Sequence, residues 1–203
     1  MYRVGLTGNV ASGKSSVACV WQDLGAAIID ADVLAREAVA PGSPGLRRVV
    51  ELFGPHALAS DGSLDRDRVR DIVFGDPSQR VALERVLHPE IARLRGEAEA
   101  RLERAGETLV VHVVPLLFEA GLAEDVDLIV FVDAGDATRL ARLVRDRGLD
   151  RASAQRMIDA QLPADRKRTM AGIVLENEGT MDELAAAAES AWREIERRAR
   201  AAQ

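Results

Sequence analysis

The chain has 203 residues, 47% of them apolar, enough for one substantial core or for a core with inserts. Its formal net charge of -6 argues against nucleic acid as the main partner, and no run of 18 apolar residues exists to span a membrane. Met1 leads straight into a strand-like segment, so no secretory signal is expected, and the single cysteine fits a reducing, cytoplasmic setting.

Val4 to Thr7 is a short apolar run that predicts a strand. A glycine-rich turn follows, and then Val17, Val20, Trp21 and Leu24 fall on one helix face, with Gly25 as a left-handed cap. Cys19, set among these residues, reads as a buried small hydrophobe. Ala27 to Ile29 predicts a second strand ending at Asp30 and Asp32, which completes a βαβ opening. The next stretch is helical: Leu46, Val49, Val50 and Phe53 share a face, Asp61-Gly62 marks a turn, and Val69, Ile72 and Val73 belong to a short helix closed before Pro77. Pro89 is expected to open a new helix whose buried stripe is Ile91, Leu94, Ala98 and Leu102. Leu109 to Val114 and Leu128 to Val132 read as buried parallel strands, with His112 as a hydrogen-bonded core histidine in the first. Ile173 to Leu175 is a fifth strand, after an arginine-rich helical stretch from about 137 to 170, and Met181 to Ile195 predicts a closing amphipathic helix. The expected fold is therefore α/β: a five-stranded parallel sheet flanked by helices. Its core is about 1–32, 106–136 and 171–203, and it carries helical inserts at about 33–105 and 137–170.

The turn after the first strand reads Gly8-Asn9-Val10-Ala11-Ser12-Gly13-Lys14-Ser15, which matches GxxxxGK[ST] at every fixed position and in the required context. Glycine at 8 and 13 lets the loop amides turn inward, and the helix that follows adds its unpaired N–H groups and dipole. The stretch Asn9, Val10, Ala11, Ser12, Gly13, Lys14, Ser15 and Ser16 is accordingly the expected ATP-binding segment. Lys14 would meet the β- and γ-phosphates and the Ser15 hydroxyl a magnesium ion, whereas the Ser16 side chain reads as an ordinary first-turn residue. Lys14 and Lys167 are the only lysines among 27 basic residues, which sets Lys14 apart. With no NKxD signature and a short chain, a GTPase or helicase is disfavoured and a small-molecule kinase favoured: one insert would hold the acceptor and the other would close over ATP as a lid.

Asp30 and Asp32 end the second strand, on the edge where an open parallel sheet binds ligands. Asp32 could take the proton of an attacking hydroxyl or hold a magnesium-bound water; otherwise it is the cap of the helix beginning near Val33. The third strand ends Val113-Val114-Pro115 without an acid, and Glu119 is the nearest substitute. Arg139, Arg142, Arg145 and Arg147 form a cluster suited to phosphate, with Arg139 and Arg142 on one helix face.

These segments together resemble the dephospho-coenzyme A kinase family. The similarity runs in order through GLTGNVASGKSS at 5–16, DADVLAREAVAPGSPGL at 30–46, FG at 53–54, DGSLDRDRVRDIVFGDP at 61–77, LHPEI at 87–91 and PLLFEAG at 115–121. It closes with RDRG, Gln161 and NEG at 177–179. The resemblance implies a nucleotide-kinase-like P-loop core with two helical inserts. It also implies transfer of the ATP γ-phosphate to the ribose 3'-hydroxyl of dephospho-coenzyme A; magnesium is expected with the ATP, and the chain is expected to be a monomer or weak oligomer. It assigns Asp32 as general base, Arg142 as the lid arginine that meets ATP phosphates and Asn177 as a neighbour of the adenine. Leu64, Arg66, His88, Pro89, Pro115 and Leu116 become the acceptor-side surface, with Leu87 and Leu117 as packing. Two departures stand out: Asn9 where the family usually has glycine, and Ala171-Gly172 where it has Ala-Asp. The competing readings are a nucleoside or nucleotide kinase of the same fold and a non-enzymatic ATP-binding switch.

Overall fold

The computed structural model describes residues 1–202, and in it the opening is strand, loop, helix, strand: β1 (Tyr2–Gly8), α1 (Lys14–Asp23) and β2 (Ile28–Asp30). The other strands are β3 (Leu109–Val113), β4 (Leu128–Asp133) and β5 (Ile173–Glu176), and the sheet order is β2-β3-β1-β4-β5. β1 pairs in parallel with β3, Val4 opposite Val111, and with β4, Leu6 opposite Val130; β4 pairs in parallel with β5. Strands covered on both faces read as unbroken apolar runs. Accordingly Val4, Leu6, Val110, Val111, Val130, Phe131 and Val132 are all fully buried.

The described residues form two compact units, one of residues 1–28 with 102–202 and one of residues 29–101. In the first, α1 lays Val17 and Trp21 on the sheet beside α9 (Met181–Ala201), which contributes Leu184, Ala188, Trp192 and Ile195. The Trp21 and Trp192 ring centroids lie 5.8 Å apart, and Trp21 Nε1 donates to the Ala188 carbonyl at 2.8 Å, so the indole is buried with its polar atom satisfied. Cys19 is exposed, which corrects the expectation that it is core. At 100° per residue it is turned about 200° from Val17, onto the outer face of α1. Between β4 and β5 lie α6 (Asp136–Arg147), α7 (Arg151–Asp159) and α8 (Ala164–Met170). Their small core of Leu143, Ala154 and Ile158 packs against Val10 and Ala11.

The second unit holds α2 (Ala31–Glu37), α3 (Pro44–Phe53), α4 (Arg66–Gly75) and most of α5 (Pro77–Arg104). Its core is Val39, Leu46, Val49, Phe53, Ala57 and Val69. Ser43 caps α3 through Leu46 N at 3.1 Å with Pro44 in the first turn, and Asp65 caps α4 through Arg68 N at 3.0 Å. Pro89 does not open a helix: it lies inside α5, which runs unbroken from Pro77 to Arg104. A proline there lacks the N–H that the Arg85 carbonyl would accept, yet the turn after it is secured by Arg93, which pairs with Glu90 and Glu97 at 2.5 Å each. Among the described residues no helix is long and apolar enough to cross a membrane.

Candidate active site

The phosphate loop lies between the C-terminal end of β1 and the start of α1. Gly8 must be glycine, because a Cβ there would meet the Val132 carbonyl oxygen at 2.7 Å. The Asn9 carbonyl accepts from Ser12 N at 3.1 Å, closing a turn. Gly13 then takes a left-handed conformation, φ 96°, as the N-cap of α1. No side chain caps this helix, whereas Asp30, Ser43, Asp65, Asp150 and Thr180 cap α2, α3, α4, α7 and α9. Ser16 N and Val17 N donate back to the Gly13 carbonyl at 3.0 and 3.3 Å, and the helix dipole makes this end of α1 favourable to an anion. Asn9 is not left-handed; the strained non-glycine is Ala11, φ 59°. Ser12 Oγ is buried without a hydrogen-bond partner, a polar atom within the loop itself.

Each residue from Asn9 to Ser12 is held by a side chain from far along the chain. Asn9 Oδ1 accepts from Lys167 Nζ at 2.7 Å, and Val10 N donates to Gln161 Oε1 at 2.8 Å. The Ala11 carbonyl accepts from Arg142 Nη1 at 3.3 Å and the Ser12 carbonyl from Asn177 Nδ2 at 2.7 Å. Arg142 also donates to the Asn177 carbonyl at 2.9 Å and to its Oδ1 at 3.2 Å. Arg142 and Asn177 thus stand together under the loop, and the Asn177 side chain, 3% exposed, is turned toward it. Arg139 is buried and bound to Asp136 at 2.6 Å and Gln161 at 3.4 Å. Arg145 is exposed and paired with Asp146 at 2.6 Å, which raises the arginine's pKa and lowers that of the aspartate; Arg147 is exposed.

Glu119 accepts from Lys167 Nζ at 2.6 Å and from Leu162 N at 3.3 Å. It is the counter-ion of the fully buried Lys167 side chain. Three anchoring residues escaped the sequence reading: Lys167, Gln161 as a ligand of Val10, and Asn9 as an acceptor. The only signal for Lys167 was its type, a lone second lysine in a chain that otherwise uses arginine. Glu178 closes the N-terminal end of α6, accepting from Gly135 N and from Thr138 Oγ1 at 2.6 Å. These bonds, Thr138 first, hold its carboxyl below the ordinary 4.5.

In the unit of residues 29–101, the cap of α2 is Asp30, not Asp32: Asp30 Oδ1 accepts from Asp32 N at 2.7 Å and Val33 N at 3.4 Å. Asp32 lies exposed in the first turn. Leu64 packs against that unit's core and bridges Leu58, Arg66 begins α4 and is exposed, and His88 and Pro89 are exposed on α5. Pro115 and Leu116 belong to the other unit, after β3; Pro115 accepts from Thr7 Oγ1 at 3.4 Å and Leu116 is exposed.

The family model for dephospho-CoA kinase matches residues 2–183. A Streptomyces avermitilis dephospho-CoA kinase is 43% identical over 199 residues, covering 98% of this chain and 96% of that protein. A Geobacter metallireducens dephospho-CoA kinase is 44% identical over 194 residues, 96% of each. Among solved structures, the Thermus thermophilus protein TT1252 superposes with a TM-score of 0.83 at 36% identity, covering 96% of this chain and 97% of that one. The five-stranded sheet, the phosphate loop at the C-terminal end of its central strand and this likeness over nearly the whole length agree: the chain belongs to the dephospho-CoA kinase family.

Proposed function

We propose that this kinase transfers the γ-phosphoryl group of ATP to the ribose 3'-hydroxyl of dephospho-coenzyme A, releasing coenzyme A and ADP, with the loop of residues 8–15 as its ATP site. The observation that carries the reading is the uncapped start of α1 behind a left-handed Gly13, in a chain of this family. Loop amides and the α1 N-terminus would hold the β-phosphate, and the Lys14 ammonium would stabilise charge developing on the γ-phosphoryl oxygens. Arg142, donated by α6 to the loop, supports a second cationic contact to the phosphates once it exchanges the Ala11 carbonyl for an anion.

Asp32 is our candidate base. Asp30 is committed to capping, which leaves Asp32 as the exposed acid of that pair. As the oxygen–phosphorus bond forms, the 3'-hydroxyl proton passes to the Asp32 carboxylate, and the bond from the γ-phosphorus to the bridging oxygen breaks to leave ADP. Use of ATP implies magnesium, which takes few protein groups and several waters; the exposed Ser15 hydroxyl and, through water, Asp32 suit that demand. When bound, the ion neutralises charge on the β- and γ-phosphates. Leu64, Arg66, His88, Pro89, Pro115 and Leu116 are proposed to receive the acceptor. Residues 137–170 are proposed to order over ATP as a lid, an account supported by their attachment to the loop through Arg142, Gln161 and Lys167. An exposed, unpaired cysteine supports a cytoplasmic setting. Supplying ATP with dephospho-coenzyme A, nucleosides and nucleotides in separate reactions tests the acceptor; phosphorylation of a nucleoside or nucleotide in preference to dephospho-coenzyme A would replace this reading.

A further inference from the structure

We infer that Lys167 is a positioning residue for phosphoryl transfer: from a fully buried site it fixes Asn9, and through Asn9 the turn that shapes the phosphate loop. The inference rests on the reading of that loop as the ATP site. Lys167 has no exposed side-chain surface, and its Nζ lies 2.7 Å from Asn9 Oδ1 and 2.6 Å from Glu119 Oε1. Taking an ammonium out of water costs several kcal/mol unless it is paired and hydrogen-bonded, so a lysine is kept at such a place only with partners of this kind. The geometry also explains the residue type. Nζ converges on one amide oxygen and one carboxylate oxygen from different parts of the chain, and a compact point donor on a flexible stem suits that better than arginine's planar fork.

The connection continues on both sides. Asn9 is 3% exposed, and its carbonyl accepts from Ser12 N at 3.1 Å, so the residue held by Lys167 also closes the turn that delivers Gly13 to the head of α1. Behind Lys167, the next residue, Arg168, donates to Asp133 at 2.6 Å and Glu176 at 2.8 Å, the last residues of β4 and β5. Glu119 also accepts from Leu162 N, just ahead of α8. The ends of two strands therefore hold α8, α8 holds Lys167, and Lys167 holds the loop. Lys167 acts on phosphate only through Asn9, which distinguishes it from Lys14.

Four variants test this: Asn9→Ala, which leaves the Lys167–Glu119 pair intact; Lys167→Met; Asn9→Ala with Lys167→Met; and Lys167→Met with Glu119→Gln, which removes the buried charge left behind. ATP affinity is measured by titration calorimetry, and KM for ATP and for dephospho-coenzyme A by steady-state kinetics. Asn9→Ala and Lys167→Met should each weaken ATP binding about tenfold, as loss of a hydrogen bond to a charged group predicts. KM for dephospho-coenzyme A should stay within twofold. Because both variants cut one connection, Asn9→Ala added to Lys167→Met should weaken ATP binding no further. The charge-compensated double variant should regain the parent's melting temperature yet keep the ATP defect, which a purely structural lysine would not produce. Parental ATP affinity in a folded Lys167 variant, or independent, multiplying effects of Asn9 and Lys167, overturns the inference. A parent that fails to bind ATP instead overturns the reading of the loop on which it rests.

Discussion

Replacing Gly13 with alanine separates backbone strain from collision in the phosphate loop. Gly13 has φ 96° and Gly25 has φ 92°, so alanine at either position takes on a left-handed backbone at roughly 1–2 kcal/mol. Their surroundings differ. A Cβ on Gly25 meets nothing within 4 Å, whereas one on Gly13 lands on Asn177 Nδ2, the atom that donates to the Ser12 carbonyl at 2.7 Å. Displacing that buried amide loses the bond and leaves a donor and an acceptor unpaired, a further cost of about 1–3 kcal/mol. In a domain of this size each kcal/mol lowers Tm by about 2–4 °C, so Gly13→Ala should lower it by about 4–20 °C and Gly25→Ala by about 2–8 °C. Calorimetric melts of both variants, with and without ATP, check this; only Gly13→Ala should also weaken ATP binding. If the two variants melt within about 1 °C of one another and bind ATP alike, Asn177 is not the brace of the loop and the reasoning fails.

Asp32→Asn should retain ATP binding while turnover falls by at least about 100-fold, and activity regained at high magnesium would assign Asp32 to the metal rather than to the proton. Amide hydrogen exchange in residues 137–170 should slow when ATP is bound, and unchanged exchange at saturating nucleotide counts against a lid. Glu178 has its carboxyl pKa depressed by Thr138 and Gly135, so its contribution to stability is full above about pH 4.5 and is lost as pH falls through its lower folded value. Glu178→Gln should therefore melt below the parent at neutral pH, with the gap closing under acid conditions. A gap that is constant with pH would show that the carboxylate's charge is irrelevant there.

The parts of the molecule written in local pattern are legible in the sequence. The strands appear as continuous apolar runs because both of their faces are covered, and the α1 face appears because 3.6-residue periodicity places Val17 and Trp21 together. The same periodicity places Cys19 outside, a consequence overridden in the reading by its apolar neighbours. Pro89 misled because a helix start and a tolerated interior proline look alike locally; what distinguishes them is the preceding run of helix from Pro77. Asp30 and Asp32 stand two residues apart at the start of α2, and the backbone turn there selects Asp30 as the cap. The braces of the phosphate loop were the least legible, because Lys167 and Asn9 are 158 positions apart and no local rule couples them. The departure at position 172 has a local structural meaning. Gly172 N still donates to the Ile129 carbonyl at 2.9 Å, and a Cβ there would lie 2.6 Å from Leu128 Cδ1, so glycine leaves room for a buried leucine.

The most direct test of the account is ADP release by the purified protein with ATP and magnesium, with and without dephospho-coenzyme A, alongside Lys14→Ala. The account predicts ADP release that depends on the acceptor, a product carrying one new phosphate on the ribose 3'-oxygen, and loss of most turnover in a Lys14→Ala variant that remains folded. No acceptor-dependent ADP from the parent, or a Lys14→Ala rate within threefold of it, would contradict the central claim.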